Sequence, residues 1–318
     1  MDLERFHEHA LRLKDGLRRV FFGHDDVIEQ LLATVYAGGH VLIEGVPGLG
    51  KTLLAKSLAR LFDADFQRVQ FTPDLMPSDI LGTEVFHLAS QSFRLRKGPI
   101  FTTILLADEI NRSPPKTQAG LLEVMEERSV SLGSETHALS PLFTVLATQN
   151  PIEYEGTYPL PEAQVDRFMS KILIRYPSLD EELLVLQAYD RGHDLHRAAQ
   201  HELTPVTNPE EVLAARRELV GIRIAPEVLR YLGEVVRATR SYPQVQVGAS
   251  PRAAVHLLLM SKARAAMEGR EFVTPDDVKA VAPAVLRHRL ILTPEAQVAA
   301  ETPDRVLARV LGQVEVPR

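Results

Sequence analysis

The chain contains no cysteine, so disulfide staples and thiolate metal sites are excluded, and a cytoplasmic address is the expectation. No window of the sequence holds enough consecutive apolar residues to span a bilayer. The opening residues Met1 to His9 are charged, and no apolar signal-peptide segment follows them. Membrane insertion and export are therefore not expected. A basic run or tail is also missing. With a formal net charge of -6 and a pI near 6.0, the chain lacks the electrostatic footprint of a nucleic-acid binder. Internal repeats and low-complexity stretches are absent as well. What remains is ordinary globular material. At 318 residues, 45% hydrophobic and 25% charged, it suffices for two domains and a sizeable core.

One stretch organises the rest. Gly45-Val46-Pro47-Gly48-Leu49-Gly50-Lys51-Thr52 fills every fixed position of the phosphate-loop pattern G-x-x-x-x-G-K-[ST]. Val41 to Glu44 before it is a short apolar run that predicts a buried strand, and Leu53 to Phe62 after it predicts a helix. Glycines let successive backbone N–H groups turn toward phosphate oxygens, and the helix N-terminus adds its positive end. In this pattern Lys51 reaches the β- and γ-phosphates and Thr52 offers its hydroxyl to Mg²⁺. A glycine-rich turn that binds nothing is the competing reading, and the strand–loop–helix context weighs against it.

Upstream, Leu3, Phe6, Ala10, Leu13, Leu17 and Val20 recur at helical spacing. A second helix follows, with Asp25 or Asp26 as its expected cap and Gly38-Gly39 as its end. Downstream, Phe66 to Phe71 alternates like a strand, and a hairpin is expected near Gly82 to Leu95. Thr103 to Ala107 predicts a second buried strand that delivers Asp108 and Glu109. A helix over about Pro114 to Arg128 comes next, then a hairpin over Ser129 to Pro141 turning at Gly133-Ser134. Leu142 to Thr148 predicts a third buried strand, ending in Gln149-Asn150-Pro151. A short helix is expected over Pro161 to Met169, and a last core strand over Lys171 to Tyr176. Beyond Pro177 the pattern predicts helices without strands, opened at Asn208-Pro209, Ala225-Pro226, Ser250-Pro251 and Thr274-Pro275. The order predicts an α/β core over residues 1–177, a parallel sheet between helices, with a smaller all-helical lid over 178–318.

Ligands bind at the carboxyl edge of open α/β sheets, which is where Asp108 and Glu109 would lie. Asp108 would hold Mg²⁺ through water, and Glu109 would act as general base on an attacking water. The plain alternative is two carboxylates that merely favour a helix start. Asn150, at a neighbouring strand end, could polarise the same water or could simply be a turn residue. Arg252 falls in the first turn of a helix, where a cation opposes the macrodipole, so an anionic partner is implied. A phosphate would serve, and so would an ordinary salt bridge. Arg167, just before the last core strand, could be a surface arginine paired with Asp166 or Glu162.

Together these strings resemble a family. The phosphate loop, Leu105 to Arg112, Ala147 to Pro151, Leu160 to Phe168 and Ala249 to Ala253, in this order, resemble the MoxR family of AAA+ ATPases over roughly Gly23 to Leu290. The resemblance implies a P-loop NTPase fold, ATP and Mg²⁺, and Asn150 as the sensor-1 residue. It implies Arg252 as the sensor-2 arginine, in cis or in trans, and Arg167 as an arginine finger acting on a neighbouring subunit. Gly23 and His24 would line the adenine pocket, beside the backbone of Val46, Pro47, Leu49 and Leu53. Residues 71–97 would contain a helix-2 insert and residues 129–141 a pre-sensor-1 hairpin, both directed to a central pore. Arg112 would face the subunit interface.

A trans finger completes each site only where subunits meet, which implies a ring, hexameric by resemblance. The implied activity is ATP hydrolysis that drives chaperone-like remodelling or maturation of partner proteins. The implied partner carries a von Willebrand factor A domain. A nucleic-acid motor is one alternative, and the hairpin tip Gly133 to His137 offers no Lys or Arg to support it. A metal-chelatase motor subunit is another, and a slow nucleotide-gated binding module a third, against which the intact Glu109 argues.

Overall fold

Two helices, α1 (Leu3–Arg18) and α2 (Asp25–Ala37), precede the first strand in a computed structural model that describes residues 2–88, 91–133, 135–151, 156–192, 194–195, 199 and 203–317. Strand β1 (Val41–Glu44) leads through the phosphate loop into α3 (Lys51–Leu61) and β2 (Phe66–Gln70). A short α4 (Pro77–Leu81) and a hairpin, β3 (Gly82–His87) with β4 (Ser92–Lys97), come before β5 (Ile104–Asp108). Then follow α5 (Pro115–Glu127), a second hairpin of β6 (Ser129–Leu132) and β7 (Glu135–Ala138), β8 (Thr144–Gln149), α6 (Glu162–Val165) and β9 (Ser170–Leu173). The expected hairpin turn at Gly133-Ser134 places Gly133 at φ +59°, and Ser134 lies outside the described residues.

Strands β2-β5-β8-β1-β9 form one five-stranded sheet in that order, parallel throughout. Alternation along each strand divides its side chains between two apolar layers. Val41, Ile43, Ile104, Leu106 and Leu146 face one layer, and Leu42, Leu105, Ala107, Val145 and Ala147 face the other. Both faces of the three central strands β5, β8 and β1 are covered, which is why those strands read as unbroken apolar runs in the sequence. The first layer continues without a break through α1 and α2 into the C-terminal helices.

Those helices are α7 (Leu179–Asp190), α8 (Pro209–Glu218), α9 (Pro226–Ser241), α10 (Pro251–Met267), α11 (Pro275–Leu286), α12 (Pro294–Val298) and α13 (Pro303–Gln313). Side chains of Asn208, Ser250 and Thr274 accept the backbone N–H three residues on, as the start signals require. The expectation of helices without strands needs correction. Arg223–Ile224 pairs in parallel with Phe272–Val273, and Val245–Val247 pairs antiparallel with Ile291–Leu292. Segments this short display no alternation from which to read them. The cap of α2 also differs. His24 occupies it without a side-chain bond, and Asp25 sits inside the first turn. Arg18 Nε donates to Asp25 Oδ1 at 2.7 Å, so that carboxylate is already engaged elsewhere.

Candidate functional site

The loop after β1 crosses from strand to helix at the carboxyl edge of the sheet. Gly48 and Gly50 adopt φ of +89° and +77°, a region that side chains bearing a Cβ rarely tolerate. The helix begins at Lys51, so the N–H groups of Lys51, Thr52 and Leu53 open toward the loop. Lys51 Nζ donates to the carbonyls of Gly45 and, at 3.4 Å, Val46. Its ammonium therefore lies within the curl of the loop, where an anion would sit.

Strand order brings the other candidates alongside. In the sheet β8 stands between β1 and β5, and Gly45 N–H donates to Gln149 O at 3.3 Å. Asn150, buried at the end of β8, thus stands between the phosphate loop and the acids of β5. Asp108, the last residue of β5, is 7% exposed. Its Oδ2 accepts from Arg68 Nε and Nη2 at 3.0 and 2.7 Å, and its Oδ1 accepts from Thr148 Oγ1 at 2.5 Å. Glu109 follows in the left-handed region, φ +57°. Such backbone costs on the order of 1–3 kcal/mol and persists only where its surroundings hold it. Thr148 supplies the hold, because Glu109 N–H donates to Thr148 Oγ1 at 2.8 Å. The left-handed turn aims the Glu109 carboxylate away from the strand. There Gln70 Nε2 and Arg112 Nη1 donate to its Oε2 at 2.7 and 3.0 Å. Arg112, expected at a subunit interface, is engaged with Glu109 of its own chain.

Magnesium keeps much of its water shell and takes few protein ligands. The fit therefore turns on whether Asp108 retains an acceptor. A carboxylate offers about four lone-pair directions, and the bonds from Arg68 and Thr148 take three of them. One direction at Oδ1 is left for a metal-bound water, and the Thr52 hydroxyl at the second residue of α3 is a second oxygen donor. The residues suit a cation held through water better than one ligated directly by Asp108.

Beside the loop lies a cavity of about 450 Å³, within the range of about 300–1,000 Å³ usual for small-molecule sites. Phe21, His24, Gly48, Leu53, Tyr176 and Tyr189 are among its lining residues. His24, expected to line an adenine pocket, is one wall of this cavity. Gly23 belongs to an adjoining cleft, together with His24, Arg175 and Glu181. The apolar walls come from the turn after α1 and from α7, which brings Leu186 and Tyr189 over the loop.

The two remaining candidates lie at the other edge. Met169 N–H donates to His40 O at 2.9 Å, which places the residue after Phe168 at the amino end of β1. From His40 to Gly45 an extended chain covers roughly 16 Å. Arg167 Nε meets Glu126 Oε2 at 3.2 Å, and Arg252 Nη2 donates to Glu126 Oε1 at 2.7 Å. The structure thus joins Arg167 and Arg252 on one carboxylate, near His40, Arg128 and His256, and away from their own phosphate loop. Glu126, rather than Asp166 or Glu162, is the carboxylate paired with Arg167.

Sequence reading missed four residues that act on the acids or on the arginines: Arg68, Gln70, Thr148 and Glu126. Arg68 and Gln70 share one face of an alternating strand, which was legible. That β2 neighbours β5 was not.

The N-terminal part, residues 40–170, matches the model for the ATPase family associated with various cellular activities (AAA), and residues 237–310 match the AAA lid domain. An uncharacterized protein, YeaC of Bacillus subtilis, is 43% identical over 99% of this chain and 97% of its own length. Chaperone MoxR1 of Mycobacterium tuberculosis is 42% identical, covering 95% of this chain and 81% of its own. A solved structure described as that of a candidate ATPase from Cytophaga hutchinsonii superposes with a TM-score of 0.90 at 39% identity, over 99% of this chain and 97% of its own. A nucleotide-binding loop, an acidic strand end and a helical lid define an AAA ATPase, and the chain hydrolyses ATP. Within that class it belongs to the MoxR family of AAA+ ATPases. Among the described residues, no helix is long and apolar enough to cross a membrane.

Proposed function

We propose that this chain is one subunit of a ring, hexameric by family resemblance, in which ATP is hydrolysed between neighbours with Mg²⁺. The observation that carries the reading is the meeting of Arg167 and Arg252 on Glu126, an edge away from the phosphate loop of the same chain. Arginines so placed serve a phosphate only if it is presented by another subunit. Lys51 binds the β- and γ-phosphates. Thr52 and Asp108 would hold the metal, which would supply charge neutralisation on the phosphates. Glu109 takes the proton of the attacking water, and Asn150 orients that water from the adjacent strand end. Arg167 of the neighbour stabilises charge on the transferred phosphoryl group, and Arg252 acts beside it in trans.

The load is a partner protein. The name Chaperone MoxR1 of the Mycobacterium tuberculosis relative supports a chaperone-like role, and family resemblance implies a client with a von Willebrand factor A domain. The helix-2 insert would be the exposed β3–β4 hairpin, directed with β6–β7 to a central pore of a cytoplasmic machine. Phe86 and Phe93 pair across that hairpin with ring centroids 5.3 Å apart, and both are exposed.

Phosphate release per subunit, measured against protein concentration with particle mass followed in parallel, tests the shared site. Specific activity should rise together with mass in the wild type. Arg167→Ala should bind ATP and stay flat. Constant activity in a monomer, indifferent to Arg167, would sink the reading.

A further inference from the structure

The segment that carries Arg167 is gripped by a buried arginine outside every motif. Arg289 lies in the tight turn Arg287–Arg289 that closes α11, with its side chain 2% exposed. Its Nε donates to Asp166 Oδ1 at 2.6 Å. Its Nη2 donates to Asp166 O at 3.0 Å, Phe168 O at 2.7 Å and His256 Nδ1 at 2.8 Å. Its Nη1 donates to Met169 O at 3.2 Å and to Val285 O of its own helix. The two neighbours in the turn extend the grip. His288 Nε2 bonds Phe168 O at 3.1 Å, and Arg287 Nη1 donates to Lys171 O at 2.9 Å. Three consecutive side chains thus hold the backbone from residue 166 to residue 171, on both sides of Arg167.

A buried guanidinium is costly unless it is paired and fully hydrogen-bonded. Here the pairing goes to one carboxylate, Asp166, and most of the remaining N–H groups go to backbone carbonyls of the Arg167 segment. Carbonyls fix the path of the chain, whereas side-chain partners would fix only rotamers. Arg167 has its own side chain free of this fan and turned to Glu126. Ser250, the cap of α10, also approaches Asp166 Oδ1 at 3.5 Å, so the helix that bears Arg252 meets the same carboxylate. A planar fork with five N–H groups, one on Nη2 shared between two acceptors, can serve these six partners, and an ammonium with three cannot.

We infer that Arg289 is a positioning residue for hydrolysis in the adjoining subunit: by clamping residues 166–169 to the lid it sets where the Arg167 guanidinium is presented. The inference rests on the trans reading of Arg167. The test uses Arg289→Lys in the full chain. Affinity of its own phosphate loop for a fluorescent ATP analogue should stay unchanged, because that loop lies at the other edge. kcat should fall by about a hundredfold, the penalty of roughly 1 Å of misplacement at a reacting centre.

Mixing decides the cause. Glu109→Gln subunits carry an intact Arg167 but no base, and Arg289→Lys subunits carry the base and the loop but a misplaced finger. Mixed rings should recover turnover that neither protein has alone. Arg167→Ala mixed with Glu109→Gln is the reference. If that reference pair fails to recover turnover, the trans reading falls and takes this inference with it. If the reference recovers and the Arg289→Lys mixture does not, the role of Arg289 is overturned while the shared site stands. Full kcat in Arg289→Lys alone would overturn it too. Should Arg289→Lys lose nucleotide binding or its melting transition, Asp166→Ala, which removes the carboxylate partner and leaves the buried arginine, goes through the same mixture with the same outcomes.

Discussion

At the carboxyl edge of the sheet, Asp108 ends β5, Glu109 and Asn150 directly follow β5 and β8, and Lys51 follows β1 after the phosphate loop. At the amino edge, Arg167 and Arg252 reach Glu126 from a loop before β9 and from a helix more than eighty residues further along the chain. The first edge is assembled by local chain geometry, with side-chain bonds from Arg68, Gln70 and Thr148 tuning it. The second is assembled by packing of the C-terminal helices on the sheet, and its two cations meet on Glu126. A molecule with its phosphate loop on one edge and these arginines on the other fits the proposed ring, in which a neighbouring copy completes each site.

Substitutions should separate the two edges. The largest effect is expected for Arg167→Ala, which should lower kcat by roughly 10³-fold or more with ATP affinity kept. Equal losses of affinity and turnover would place Arg167 in its own site instead. Glu109→Gln should lower kcat by about 10²–10⁴-fold and trap ATP, read as bound nucleotide after rapid desalting. In the mixing experiment these two proteins should complement each other, which two lesions in one self-contained site would not do.

Acid should weaken the fold through its buried neutral histidines, three at the amino edge and a fourth, His9, which burial against Tyr36 lowers to about 4. Burial lowers His40 to about 3 and His256 to about 4, and holds His288 well below its ordinary value. All three surround the Arg167 segment or the start of β1. Below about pH 6.5 the unfolded chain binds protons that these folded imidazoles refuse. Their stabilisation is therefore complete above that value and is lost as pH falls toward the folded values, by about 1.4 kcal/mol per pH unit for each histidine. Thermal melts between pH 7.5 and pH 5 should show the fall, and His40→Gln should make it shallower by one histidine's share. A melting temperature independent of pH over that range would contradict the buried neutral state. The smallest effect is expected for Thr148→Val at the carboxyl edge. It removes the donor to Asp108 and the acceptor for Glu109 N–H, and should cost about 1–3 kcal/mol in denaturant unfolding. A larger drop in kcat than that stability loss accounts for would mean that the left-handed Glu109 turn has relaxed.

Legibility followed the same division. The phosphate loop, the Asp108-Glu109 strand end and the Asn150 strand end are contiguous strings flanked by apolar runs, and those runs become β1, β5 and β8 with ends shifted by at most two residues. Arg68 and Gln70 were visible only as an alternating pair, since nothing in that stretch says that β2 lies beside β5. The short ladders of the C-terminal region were invisible because two or three residues carry no period. Asp25, which reads as a helix cap, is drawn off by Arg18 from the preceding helix.

The sequence by itself determined the candidate nucleotide site, because backbone N–H groups, a lysine and strand-end acids are set by neighbours only a few residues away. It also determined the α/β core, since strands buried on both faces must be apolar throughout. Only the tertiary structure decided that Glu126 joins Arg167 to Arg252, that Thr148 holds the Glu109 turn, and that Arg289 grips residues 166–169. Those contacts span between 39 and 126 residues of chain. Their partners are chosen by which helices share an apolar layer, and no local pattern of residues records that choice.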